Sequence, residues 1–302
     1  MPLLQLPNNI TINYRLEGEG PETVVLVNGL ADDLVTWAAQ VPALLKAGFR
    51  TGIMDKMFSR FFPASDPKKG KAACFDNRGI GASSSPPGPY SAIMLATDVR
   101  ALILSLNVTR YHLLGVSMGG MIAQAYVLQY AAGKQRTAPP PLSVTLACTY
   151  AAPGPFCTRM FALWADMARA MGVPAVMRDV TLWAFTLDFF RTPERAAELR
   201  EVETAMEGLD MSLDAYLAQL AVIQDFDTTA VFEGLKKDVW AVPTLVLAGE
   251  EDVLIPTKLS EELARMIEEA EWRTVRGGHG CMWEFPDAFN EAVVTFLKRH
   301  SQ

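Results

Sequence analysis

Gly115-Val116-Ser117-Met118-Gly119 is the stretch that decides the fold. Tyr111 to Val116 before it reads as a short buried strand, and Met121 to Tyr130 behind it carries helix formers with apolar residues on one side. Ser117 therefore sits where a strand turns sharply into a helix, the G-x-S-x-G arrangement that exposes a serine hydroxyl. Gly115 and Gly119 leave room for the backbone to reverse, and the following helix aims its free N–H groups at whatever Ser117 attacks. By itself the motif also fits an ordinary strand-to-helix loop, so its context decides.

Working outward, strands and helices alternate. Asn9 to Glu17 places Ile10, Ile12, Tyr14 and Leu16 at period two and is expected to open a sheet, while Thr23 to Val27 is a continuous apolar run suited to a strand buried on both faces. Leu34 to Lys46 has helical spacing, closed by Gly48. Ala72 to Phe75 is the next strand, ending on Asp76-Asn77-Arg78-Gly79, whose polar side chains are expected to hold a tight loop. Ala92 to Leu106 is an amphipathic helix, and Leu142 to Cys148 a further buried strand. From Pro153 to Ala230 the alternation stops. Four helical stretches follow, Arg159 to Met171, Ala175 to Leu187, Pro193 to Met206 and Ser212 to Asp225, with inward stripes rich in Met, Phe, Leu and Trp that pack helices and suit an apolar pocket. Strands resume at Thr244 to Ala248 and Trp272 to Val275, each followed by a helix, Lys258 to Ile267 and Ala288 to Arg299. The rhythm predicts an α/β architecture with a parallel sheet between helices, residues 1–152 and 231–302 forming one core and residues 153–230 an insertion in it. Thr51 to Lys71 breaks the rhythm, since such connections usually take about 2 to 6 residues, and it reads as an atypical surface insertion.

Composition limits the function classes. The chain has 302 residues, half of them apolar, enough for a large core, and a net charge of −7 without a long basic run. That argues against nucleic acid and anionic membranes as partners, because both demand clustered Lys and Arg. Lys68, Lys69 and Lys71 read as a solvated loop. Met1 to Asn9 has no secretory pattern, and no run reaches the roughly eighteen apolar residues that a membrane span needs. A soluble, cytoplasmic protein acting on a small molecule is expected. Cys74, Cys148, Cys157 and Cys281 lack metal-ligand spacing and are expected to be buried free thiols.

A serine hydroxyl needs a base within hydrogen-bond reach, usually histidine. There are three histidines. His112 lies inside the strand leading to the serine and is expected to be packed, and His300 near the end is expected to be exposed. His279 stands in Gly277-Gly278-His279-Gly280 directly after the last strand, on the side where open α/β sheets place their sites. The imidazole needs a carboxylate to fix its tautomer, and Asp252 lies in the loop after the preceding strand, with Glu250 and Glu251 as competing neighbours.

The order Ser117, Asp252, His279 resembles the nucleophile, acid, histidine order of the α/β-hydrolase superfamily. The resemblance extends to G-x-S-M-G-G, D-N-R-G-x-G-x-S, V-P-T-L-V-L-A-G-E-x-D and G-G-H-G with Glu284, Pro286 and Phe289 behind it, and is nearest to 3-oxoadipate enol-lactonases and similar serine esterases. It implies an eight-stranded, mostly parallel sheet with residues 153–230 as a helical cap. It also implies an oxyanion hole from the backbone N–H groups of Leu30 and Met118, although Asn28-Gly29 replaces the usual His-Gly. No metal or cofactor is implied. Joining Arg50 to Ala72 would restore ordinary family spacing. The expected activity is hydrolysis of a carboxylic ester or lactone through an acyl-enzyme, with a slow-turnover ligand receptor and a C–C bond hydrolase as alternatives.

Overall fold

The computed structural model describes residues 2–49, 72–131, 136–234 and 240–301, so the expected insertion Thr51–Lys71 lies outside the described residues. Eight strands form one sheet in the order β1-β2-β4-β3-β5-β6-β7-β8. They are β1 Leu3–Gln5, β2 Thr11–Glu17, β3 Thr23–Val27, β4 Ala72–Phe75, β5 Tyr111–Val116, β6 Ser143–Ala147, β7 Thr244–Gly249 and β8 Glu271–Val275. β1 and β2 are antiparallel to their neighbours, and all pairings from β4 to β8 are parallel.

Both faces of the central strands are covered, which is why they read as unbroken apolar runs. Along β3 the side chains alternate. Val24 and Leu26 join a core with Trp37, Val41, Phe289 and Phe296. Val25 and Val27 point the other way, into a core with Val99, Leu102, Met121 and Leu263. The first core is covered by α1 (Gln40–Lys46), the short α10 (Cys281–Glu284) and α11 (Pro286–Arg299), the second by α2 (Ala92–Ser105), α3 (Met118–Tyr126) and α9 (Thr257–Met266). In register, Val27 pairs with Gly115, Val116 with Ala147, and Gly249 with Val275. The loops after β3, β5, β7 and β8 therefore leave the same edge of the sheet.

Between β6 and β7 the described chain is helical: α4 (Gly154–Met171), α5 (Val173–Ala184), α6 (Pro193–Glu207), α7 (Leu213–Asp225) and α8 (Thr229–Gly234). No described helix is long and apolar enough to cross a membrane. Cys74, Cys148, Cys157 and Cys281 are buried and unbridged, as their scattered spacing implied.

Three local expectations change. β1 precedes the strand expected to open the sheet. Leu34 to Lys46 is not one helix but a 3-10 turn, Leu34–Trp37, followed by α1. Pro42 explains the break: in a continuous helix it would supply no N–H to the carbonyl of Ala38 and its ring would collide with that carbonyl, whereas in the first turn of α1 it is harmless. The helix after Ser117 starts at Met118 and ends at Tyr126, passing into one wide π turn, Val127–Ala131.

Candidate active site

Ser117 has φ 54° and ψ −120°, a backbone conformation that non-glycine residues rarely adopt. The surrounding contacts impose it. Its N–H donates to the carbonyl of Ala147 at 2.8 Å, and its own carbonyl accepts from Gly120 N at 2.9 Å and Thr149 Oγ1 at 2.9 Å. A Cβ on Gly115 would stand 2.1 Å from the carbonyl oxygen of Gly119, and one on Gly119 would stand 2.0 Å from that of Val27. The helix can pack this closely against β3 and β5 only without those side chains. Met118 opens α3, so its N–H belongs to the first turn, which has no intrahelical acceptor.

Asp252 and His279 meet across the neighbouring loops. His279 Nδ1 lies 2.9 Å from Asp252 Oδ2, and Asp252 Oδ1 accepts from the N–H of Ile255 at 2.9 Å. Both carboxylate oxygens are therefore engaged in a buried position. Burial alone would push the imidazole down; the Asp252 charge and hydrogen bond override it and raise it to about 9. Glu250 and Glu251, the competing acids, are exposed and point elsewhere, Glu250 toward Thr274 at 3.4 Å. Glu284 anchors the histidine loop: one carboxylate oxygen accepts from Gly278 N at 2.8 Å, the other from Thr186 N at 2.8 Å and Thr186 Oγ1 at 2.7 Å.

The other histidines lie apart. His112 is buried between Ser143 Oγ at 2.8 Å and Glu22 Oε2 at 3.3 Å. His300 is half-buried rather than exposed, because its ring packs on Phe296 with centroids 4.7 Å apart.

The loop that carries Leu30 is held by Asn28 and Asp76, and by Gln219, to which no motif pointed. Asn28 is wholly buried; its Nδ2 donates to the carbonyls of Asp32 at 3.1 Å and Phe75 at 3.0 Å, and its Oδ1 accepts from Trp37 Nε1. Gln219 on α7 accepts from the N–H of Ala31 at 3.0 Å and donates to the carbonyl of Arg78 at 2.8 Å, fastening the helical segment to this loop. Asp76 accepts from the N–H of Leu34 at 2.8 Å and from that of Ala82 at 3.2 Å, the second in keeping with its expected hold on its own loop.

Leu30, Ser117 and His279 line one narrow chamber of about 50 Å³. Its walls are apolar, formed by Met121, Phe161, Trp164, Met177, Ile223 and Leu254 among others, so α4, α5 and α7 of the helical segment roof it. Asp32 is a further polar lining residue that sequence reasoning missed. Ligand atoms of Cys148, Asp252 and His279 lie within 4.8 Å of one another. They suit a metal poorly. Hydrogen bonds already occupy the carboxylate, and Cys281 and burial hold the Cys148 thiol well above its usual range, hence protonated.

Comparison with known proteins gives a consistent result. The chain is 26% identical to 3-oxoadipate enol-lactonase 2 of Acinetobacter baylyi over 306 residues, covering 99% of each protein. It is 25% identical to 2-hydroxy-6-oxononadienedioate/2-hydroxy-6-oxononatrienedioate hydrolase of Paraburkholderia xenovorans over 295 residues, 95% of this chain and 91% of that one. Among solved structures, the enol-lactonase from Burkholderia xenovorans LB400 superposes with a TM-score of 0.79 at 27% identity, covering 98% of this chain and 100% of its own. With the alpha/beta hydrolase family profile matching residues 24–292, on a mostly parallel eight-stranded sheet with its loops gathered at one edge, the chain belongs to the alpha/beta hydrolase family.

Proposed function

We propose that the chain is a serine hydrolase that cleaves a carboxylic ester or lactone through an acyl-enzyme. The observation that carries this reading is the buried Asp252–His279 pair, 2.9 Å apart, whose imidazole lines one chamber with a serine on a strained strand-to-helix turn. His279 takes the proton from Ser117 Oγ as that oxygen adds to the carbonyl carbon, and the carbonyl oxygen becomes an oxyanion. Leu30 and Met118 supply the N–H donors that receive it. When the tetrahedral adduct collapses, the C–O bond to the alcohol breaks and His279 returns the proton to the departing oxygen. Water then repeats the sequence on the acyl-Ser117 ester, releasing the acid. Residues 153–230 act as a cap that excludes bulk water and shapes the apolar chamber.

An ester or lactone substrate is supported by the similarity to enol-lactonases. The similarity to a C–C hydrolase leaves less support for that chemistry, because the glycine-rich oxyanion loop expected of it is missing at Val27 to Leu30. The test is fluorophosphonate labelling combined with a panel of esters, lactones and thioesters of increasing acyl length, with Ser117→Ala as control. Labelling and turnover that vanish together in the variant are the expected result. Full labelling without Ser117 would refute the reading, and labelling with tight binding but negligible turnover would favour a receptor.

A further inference from the structure

Asp32 places a carboxylate beside Ser117 in a chamber whose walls away from Ser117 and His279 are apolar. A Cβ built on Gly29 would lie 2.6 Å from Asp32 Oδ2 and 3.5 Å from Ser117 Cβ, so the two residues flank the same point. The N–H of Gly29 and the hydroxyl of Thr36 lie beside the carboxylate and favour its charged form. The carbonyl of Thr36 in turn accepts from Trp283 Nε1 at 3.1 Å. Asp32 and Trp283 thus both neighbour Thr36 and line the chamber together.

Both also line a second, wider cleft of about 710 Å³, with Met177 and Met206, so these four residues form the neck joining chamber to cleft. The cleft adds Asp33, Glu198 and Glu284. Arg195, the cation that lines it, is spent: it donates to Glu198 Oε2 at 2.8 Å and to the carbonyl of Glu284 at 3.0 Å, and lies over the rings of Phe189 and Phe285. A substrate carboxylate entering this neck would meet Asp32 and Asp33, while the cations described beside it, Arg195 and the His279 imidazolium, are already paired with Glu198 and Asp252. An ammonium group would meet a carboxylate and the indole of Trp283, the two partners that recognise such a cation.

We infer that Asp32 and Trp283 form a cation subsite at the neck, which selects substrates bearing an ammonium group near the scissile carbonyl and rejects those bearing a carboxylate there. The inference deepens the ester-hydrolase reading and rests on it in taking the chamber as the substrate site. Burial, then the neighbouring Asp33 charge, pushes Asp32 up to about 7 against the opposing pull of His279, the Gly29 N–H and Thr36. An empty subsite thus holds its charge only above neutrality, and an arriving cation restores it.

The experiment measures binding rather than turnover, so that it stands apart from the test of hydrolysis. Ser117→Ala protein at pH 8 is titrated calorimetrically with acetylcholine, with its isostere carrying a tert-butyl group in place of trimethylammonium, and with the analogue ending in a carboxylate. A second set of methyl esters carries the same three groups on the acyl side. In at least one set the ammonium ester should bind about tenfold tighter than its isostere, and the carboxylate about tenfold weaker. Adding Asp32→Asn, or Asp32→Ser should the first variant fail to fold, should bring all three within about threefold. Equal binding of ammonium ester and isostere in both sets overturns the subsite, as does a preference that survives loss of Asp32. If these ratios hold while the unmodified chain hydrolyses no ester, the subsite stands and the hydrolase reading falls.

Discussion

Replacing Asp252 by asparagine separates two contributions of the acid that most substitutions lose together. Ile255 N–H donates to Oδ1 of Asp252, and in the variant that donor retains the side-chain oxygen, so the new amide NH₂ must face His279 Nδ1. An NH₂ facing Nδ1 demands a lone pair there, which moves the imidazole proton to Nε2. That tautomer cannot accept the Ser117 proton, and the analogous change in a serine protease costs about 10⁴ in kcat.

The second contribution is basicity. His279 stands at about 9 rather than 6.5, and the charge and hydrogen bond of Asp252 lead the influences that raise it. That rise corresponds to about 3 kcal/mol of preference for the imidazolium. A general base must be unprotonated, so kcat/KM of the parent should climb with pH until about 9. In Asp252→Asn, burial remains and the charge is gone, so the limb should move to below the ordinary 6.5 while the plateau falls by about 10³ to 10⁴. The assay is a pH profile of kcat/KM with one neutral activated ester, with Glu250→Gln and Glu251→Gln as controls expected within about tenfold of the parent. A plateau loss under about tenfold, or a limb that stays within about half a pH unit of the parent, would refute the assignment, because a merely loosened fold lowers activity without moving the limb.

Ser117→Ala should abolish fluorophosphonate labelling and reduce turnover by orders of magnitude, with the midpoint of thermal unfolding nearly unchanged by calorimetry. Gly119→Ala should lower stability by about 3 kcal/mol in denaturant titrations or prevent folding, since its Cβ would stand 2.0 Å from a backbone oxygen of Val27. Gln219→Leu strands the N–H of Ala31 and the carbonyl of Arg78, each worth about 1 to 3 kcal/mol when buried unpaired. By freeing the loop that carries Leu30 it should also lower kcat by about tenfold or more. A kcat within about twofold of the parent would mean that Gln219 does not hold this donor.

The central strands were legible because parallel strands covered on both faces read as continuous apolar runs, as in Thr23-Val24-Val25-Leu26-Val27. β1 was not legible: three residues at an edge carry too little pattern to register as a strand. Pro42 carried the signal for the break before α1, but apolar spacing across Leu34 to Lys46 outweighed it. The turn at Ser117 was readable for a steric reason, since glycine is the residue that permits the approaches of 2.1 and 2.0 Å at positions 115 and 119.

What escaped the sequence was whatever depends on contacts between distant segments. Gln219 lies 188 residues from Ala31, and nothing in Gln219's own surroundings distinguishes it from any other glutamine on a helix. Asp32 looks local, yet its character comes from elsewhere: the chamber walls of α4, α5 and α7, the imidazole from beyond β8, and the indole of Trp283 that meets the Thr36 carbonyl. In the linear chain it is one of two adjacent aspartates in an acidic loop, and that setting suggests hydration. Only the tertiary fold gives the two different fates, Asp33 capping the turn at Val35 and Asp32 turning inward beside Ser117. The proposed nucleophile and base announce themselves because their glycine-rich turns are local backbone patterns, and the proposed acid is narrowed to one loop by its place after the preceding strand. The residue proposed here to choose the substrate carries no such signal, and becomes visible once the walls around it are in place.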